Sequence, residues 1–129
     1  MVIDTSALVA IFLREPERQF FRDAINNDPV RLLSAASLVE AGIVLESRKG
    51  DVIGRELDFF LREIEIEIVA VDSKQAQMAR HAFRKYGKGR HAAGLNYGDC
   101  FAYALSAVSG EPLLAKGQDF RLTDITLVQ

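Results

Sequence analysis

The 129-residue sequence predicts an α/β domain built on a mainly parallel sheet with helices over it. Three observations lead there. Short apolar runs at Val2-Ile3, Val30–Leu33 and Pro112–Ala115 read as buried strands, and longer segments with helical spacing separate them. Glycine, proline and asparagine fall as punctuation between these segments, with no internal repeat, low-complexity tract or linker. The hydrophobic fraction is 49% and the charged fraction 26%, which suits one core and one domain over residues 1–129.

Taken in order, Val2-Ile3 is a strand that stops at Asp4, and Ser6 to Leu13 is a helix with Thr5 or Ser6 as its cap. Pro16 opens a second helix that reaches Asn27, where Asn26-Asn27-Asp28-Pro29 makes a turn. After the Val30–Leu33 strand, Ser37 to Lys49 is helical and closes at Gly50, and Val52 to Arg62 follows as another helix. Glu63 to Ile68 alternates charged and apolar residues with period two, the mark of a strand with one wet face near a sheet edge, running on to Val71. Ala76, Ala79, Phe83 and Tyr86 form a helical stripe within Ser73–Tyr86. A basic loop, Gly87–His91, leads to a helix from Gly98 to Val108 that ends at Gly110. Pro112–Ala115 and Ile125–Val128 are the last predicted strands.

Composition excludes several functions. A net charge of −2 rules out a uniformly basic nucleic-acid coat but leaves room for a local basic patch. The single cysteine, Cys100, permits neither an intrachain disulfide nor a thiolate zinc site, and His81 and His91 lack zinc-pair spacing. The apolar run Ala7–Leu13 is too short to span a bilayer, and Asp4 stands where an export signal carries positive charge. A reducing, cytoplasmic location without membrane attachment is expected.

Ligands of an open parallel sheet bind beyond the carboxyl ends of its strands. Four carboxylates fall in that layer: Asp4 after the first strand, Glu40 and Asp99 in the first turns of helices, and Asp119 after the Leu113-Leu114 strand. Each has a structural alternative. Acidic groups favour helix N-termini by roughly 0.3–1 kcal/mol. Ser37-Leu-Val-Glu40 matches a capping box, and Asn96-Tyr-Gly-Asp99 comes close to one. Gathered at one edge, however, they repel: two charges 4 Å apart interact by about 4 kcal/mol at an effective dielectric near 20. Protonation or bound cations must relieve that repulsion. An all-oxygen set suits Mg²⁺ or Mn²⁺, and such ions assist phosphoryl displacement in nucleases and phosphatases.

Met1-Val-Ile-Asp-Thr-Ser-Ala-Leu-Val-Ala10 resembles the opening of PIN-domain ribonucleases, especially the VapC toxins of type II toxin–antitoxin pairs. Ser37–Glu40, Gly94–Ala104 and Leu113–Phe120 with Thr123-Asp124 match in the family's order, across essentially the whole chain. The resemblance implies a three-layer PIN-like fold and Mg²⁺- or Mn²⁺-dependent endonucleolytic cleavage of RNA, which inhibits translation or growth when unchecked. It assigns Asp4, Glu40, Asp99 and Asp119 to the catalytic, metal-holding cluster, with Asp4 and Asp99 as the direct ligands. It places Thr5 and Ser6 as hydroxyls supporting the first aspartate. It also implies a cognate VapB-type antitoxin and a homodimer. The Ala115-Lys-Gly-Gln-Asp119 segment departs from the usual Phe-Lys-Gly-Asn-Asp, which makes Asp124 the nearest alternative to Asp119.

Arg80, Arg84, Lys85, Lys88 and Arg90 concentrate positive charge just before Asp99, either as an RNA-backbone track or as a solvated helix face. Tyr86 or Tyr97 is placed either to stack on an unpaired base or to fill the core. Cys100 reads as a buried structural thiol. Lys116 reads either as a surface lysine or as a contact to phosphate or to the acidic cluster. The Phe20-Phe21 and Phe59-Phe60 pairs read as core or dimer surface. Two other functions compete with the nuclease. A phosphoacceptor or phosphatase domain would use Asp4 with Lys116, but Asp4-Thr-Ser lacks the second aspartate of an Asp-x-Asp motif. A non-catalytic binding module is disfavoured because all four acidic positions are intact.

Overall fold

The computed structural model describes residues 1–129. Its sheet holds β1 (Val2–Ile3), β2 (Leu32–Ser34), β3 (Glu67–Val69) and β4 (Leu113–Leu114) in the order β3-β2-β1-β4, with every pairing parallel. The helices are α1 (Thr5–Phe12), α2 (Arg18–Asn27), α3 (Ala35–Lys49), α4 (Asp51–Glu63), α5 (Ser73–Tyr86) and α6 (Tyr97–Ser109), and a 3-10 turn spans Asp119–Leu122.

Alternation along the short strands divides the core in two. Ile3, Leu33 and Leu114 pack with α1 to α4, while Val2 and Leu113 pack with α5 and α6. Both faces of the sheet are therefore covered, as the sequence predicts, giving three layers. Full burial of side chains such as Ile3, Leu8, Ile25 and Leu45 contributes roughly 1.5–3 kcal/mol each. The chain leaves β1 for β2 on one side and returns at β4 on the other, so the strand order reverses at the carboxyl end of β1. That switch point is where an open α/β sheet forms its crevice.

Several boundaries differ from expectation. Asp4, not Thr5 or Ser6, caps α1, because its carboxylate reaches the Ser6 amide. Ser34 caps α3 through the Ala36 amide, so Ser37 lies buried within the helix and Glu40 sits in its second turn, outside any capping box. The alternating segment forms strand only at Glu67–Val69: Glu63 completes α4, and Glu65 takes a positive φ of 53° to turn the chain into the sheet. It does lie at the sheet edge. Ile125–Val128 is not a strand; it makes a single parallel bridge, Leu127 to Leu113. Of the phenylalanine pairs, Phe21 is core and Phe60 packs edge-on against Phe12, whereas Phe20 and Phe59 are exposed. No helix is long and apolar enough to cross a membrane.

Candidate active site

Asp4 follows β1 directly and is buried at the switch point. Its Oδ2 accepts hydrogen bonds from the Ser6 amide at 3.0 Å and from Ser6 Oγ at 2.6 Å. Its Oδ1 is buried with no hydrogen-bond partner. A buried acceptor left without a partner costs roughly 1–3 kcal/mol, more when charged. Burial pushes the Asp4 carboxyl up to about 6; the Ser6 bonds oppose this, and Asp99 and Glu40 add repulsion.

Asp99 arrives on the first turn of α6. Its Oδ2 accepts from the Asn96 amide at 3.0 Å, while Asn96 Oδ1 accepts from the Asp99 amide at 2.9 Å, a complete capping box. The cap fixes the carboxylate without using all its acceptor capacity, since a carboxylate has about four lone-pair sites. Burial raises its pKa against the Asn96 bond, and Glu40 and Asp119 raise it further. Glu40 reaches across from α3 to lie against Gly98, where a Cβ would collide with the Glu40 carboxylate. Asp119 opens the 3-10 turn after β4 and is exposed.

Asp4 thus feels the charges of Asp99 and Glu40, and Asp99 those of Glu40 and Asp119, but no three of these carboxylates converge closely enough to hold an ion as the side chains stand. Asp124 is engaged elsewhere. Its Oδ1 accepts a 2.6 Å hydrogen bond from Tyr103, which holds its pKa down and turns it toward α6.

Of the two supporting hydroxyls, only Ser6 touches Asp4. Thr5 Oγ1 donates instead to Ser37 O at 3.2 Å and ties α1 to α3. Ser6 Oγ also accepts from the Lys116 amide at 2.9 Å, linking the start of α1 to the loop that carries Asp119. The Lys116 ammonium pairs with Glu15 and with Glu17, the latter at 3.2 Å, so it is directed away from the acidic cluster. Cys100 is buried, and that burial pushes its thiol up to about 11.

Sequence reasoning missed Gly98. Glycine inside a helix costs about 1 kcal/mol relative to alanine, and φ here is not in the left-handed region. A glycine in the first turn beside a candidate aspartate was the available signal for a side chain arriving from elsewhere. The basic segment is split. Arg80 and Arg84 lie on α5 beside the first turn of α6; Lys85 sits over the Tyr86 ring and near Asp124, and Arg90 over Phe83. Lys88 is in the following loop. Tyr86 is core, whereas Tyr97 is 79% exposed.

The PIN domain model matches residues 1–125. The chain is a PIN-domain protein of the VapC family. It is 59% identical over 128 residues to a ribonuclease VapC of Mycolicibacterium smegmatis, covering 99% of both chains. Its fold is similar to that of VapC20 from Mycobacterium tuberculosis, a sarcin-ricin loop cleaving toxin, with a TM-score of 0.81 at 16% identity over 98% of this chain and 97% of that one. It is also similar to VapBC2 from Rickettsia felis bound to a DNA fragment from their promoter, with a TM-score of 0.76 at 14% identity over 98% and 96% of the two chains.

This PIN domain fits a divalent cation on its own chemistry. The donors are all carboxylate oxygens, which suit Mg²⁺ or Mn²⁺. The partnerless Asp4 oxygen and the raised carboxyls of Asp4 and Asp99 are what an ion would relieve.

Proposed function

We propose that this VapC-family chain is the toxin of a VapBC-type toxin–antitoxin pair, an endoribonuclease that hydrolyses RNA phosphodiester bonds with a divalent cation. The observation that carries this reading is the buried Asp4 carboxylate at the switch point, with Oδ1 unpartnered and the charges of Asp99 and Glu40 acting on it. Asp4 and Asp99 would hold Mg²⁺ or Mn²⁺ directly, with Glu40 and Asp119 completing the acidic set. When bound, such an ion lowers the pKa of water and stabilises charge on the reacting phosphoryl oxygens.

The protein's own part is to hold the carboxylates in place. Ser6 fixes Asp4, Asn96 fixes Asp99, and Gly98 leaves room for Glu40. Water is the nucleophile: Cys100 is buried and protonated, and no other thiol is present. The products are a 5′-phosphate and a 3′-hydroxyl. Arg80, Arg84, Lys85, Lys88 and Arg90 would draw the RNA backbone toward this negative centre. A VapB-type antitoxin would neutralise the toxin by covering the acidic cleft, and the toxin would act as a homodimer.

The deciding experiment incubates purified protein with single-stranded RNA, with and without Mg²⁺ or Mn²⁺. Cleavage should require the metal and disappear in Asp4→Asn and Asp99→Asn. Cleavage undiminished by EDTA, or retained in both variants, would defeat the mechanism. The phosphoacceptor alternative loses its assisting cation, because Lys116 is held by Glu15 and Glu17.

A further inference from the structure

A groove of about 600 Å³ runs between α5 and the first turn of α6. Ala79 and Cys100 are buried at its floor, and Arg80 and Arg84 are exposed at its edge. Tyr97 also lines it, edge-to-face on Phe101 at 4.9 Å, yet remains 79% exposed. Asp99 lies on the same first turn but on an adjoining face of the helix, outside the groove. An apolar floor with an open aromatic ring suits the flat face of a base, and arginines suit the phosphates on either side of it. The charged part of this border is cationic on a chain whose net charge is −2, a local complement to a polyanionic backbone.

We propose that this groove seats an unpaired nucleobase of the RNA next to the cleaved phosphodiester, stacked on Tyr97, with Arg80 and Arg84 on neighbouring phosphates. The proposal rests on the ribonuclease reading and narrows it to substrates that are single-stranded at the cut.

The test is steady-state cleavage of a labelled single-stranded oligoribonucleotide with Mn²⁺, beside a duplex of the same sequence. Tyr97→Ala should raise KM about tenfold and lower kcat by less, while Tyr97→Phe stays near the parent. Arg80→Gln with Arg84→Gln should raise KM and flatten its dependence on salt. The duplex should be cut at least about tenfold more slowly, since its bases are already stacked. An unchanged KM in Tyr97→Ala, or equal cleavage of both substrates, overturns the proposal. So does a Tyr97→Ala change confined to oligomeric state or to antitoxin binding, which would assign the groove to a protein interface. Anisotropy of the same oligonucleotide in EDTA separates the two readings. If the parent cuts nothing yet binds single strands more tightly than Tyr97→Ala does, the catalytic reading fails and the groove stands. If binding in EDTA is equal, the groove fails whatever the activity.

Discussion

Ser6 Oγ donates a 2.6 Å hydrogen bond to Asp4 Oδ2 and accepts one of 2.9 Å from the Lys116 amide. One hydroxyl therefore orients the buried carboxylate and fastens to it the loop that carries Asp119. Ser6→Ala keeps the Ser6 amide bond to Asp4 but frees that loop. Outer-shell changes of this kind typically cost 10–100-fold in metal affinity or activity, so Mn²⁺ affinity measured by calorimetry should fall by about that factor. Stability should fall by only about 1 kcal/mol. Undiminished Mn²⁺ affinity would remove Ser6 from the site.

Asp4 gives the metal-free protein a distinctive pH dependence. Its carboxyl titrates at about 6 when folded, against an ordinary value of 3.8. Below 3.8 both states carry the proton and folding bears no penalty from it. As pH rises the unfolded chain ionises first, so stability drains away until the folded carboxyl has also ionised, a cost of about 3 kcal/mol. Asp28 and Asp124, whose pKa values are lowered, act in the opposite sense, so the comparison is with Asp4→Asn. In EDTA, the stability of Asp4→Asn relative to the parent should grow by about 2 kcal/mol between about pH 4 and pH 7. A flat difference in urea melts across that range would contradict it.

Gly98→Ala separates folding from activity. The new methyl would meet the tip of Glu40, a flexible side chain that can swing aside, rather than backbone. The helix gains up to about 1 kcal/mol in propensity, so the melting temperature should hold or rise slightly. RNA cleavage should fall, because Glu40 leaves the cluster. A fully active Gly98→Ala would show that Glu40 does not need this position.

Asp119 and Asp124 compete for the fourth acidic position, and their partners differ. Asp99 feels Asp119, whereas Asp124 is bound to Tyr103, whose hydroxyl is pushed well above its ordinary pKa by burial and by that carboxylate. Asp124→Ala, which leaves the Tyr103 hydroxyl without its acceptor, should lose roughly 1–3 kcal/mol of stability and keep metal-dependent cleavage. Asp119→Asn should do the reverse. The opposite pattern in paired melting and cleavage assays would reassign the site.

The placing of carboxylates at one sheet edge was legible because apolar strands and helix starts locate them without knowledge of side-chain contacts. Its finer structure was not. Ser37–Glu40 has the letters of a capping box, yet the helix begins at Ala35 because Ser34 reaches the Ala36 amide first. The period-two run from Glu63 was claimed partly by α4, whose apolar face holds Leu57 and Leu61 in the core. Ile125–Val128 has strand composition, but only Leu127 meets Leu113. The role of Gly98 depends on a glutamate 58 positions away, which no local pattern contains.

The lone oxygen of Asp4 also ties the fold to its surroundings. An ionised carboxylate buried without a partner costs the metal-free protein stability, so a cation bound there would make the melting temperature depend on the concentration of that ion.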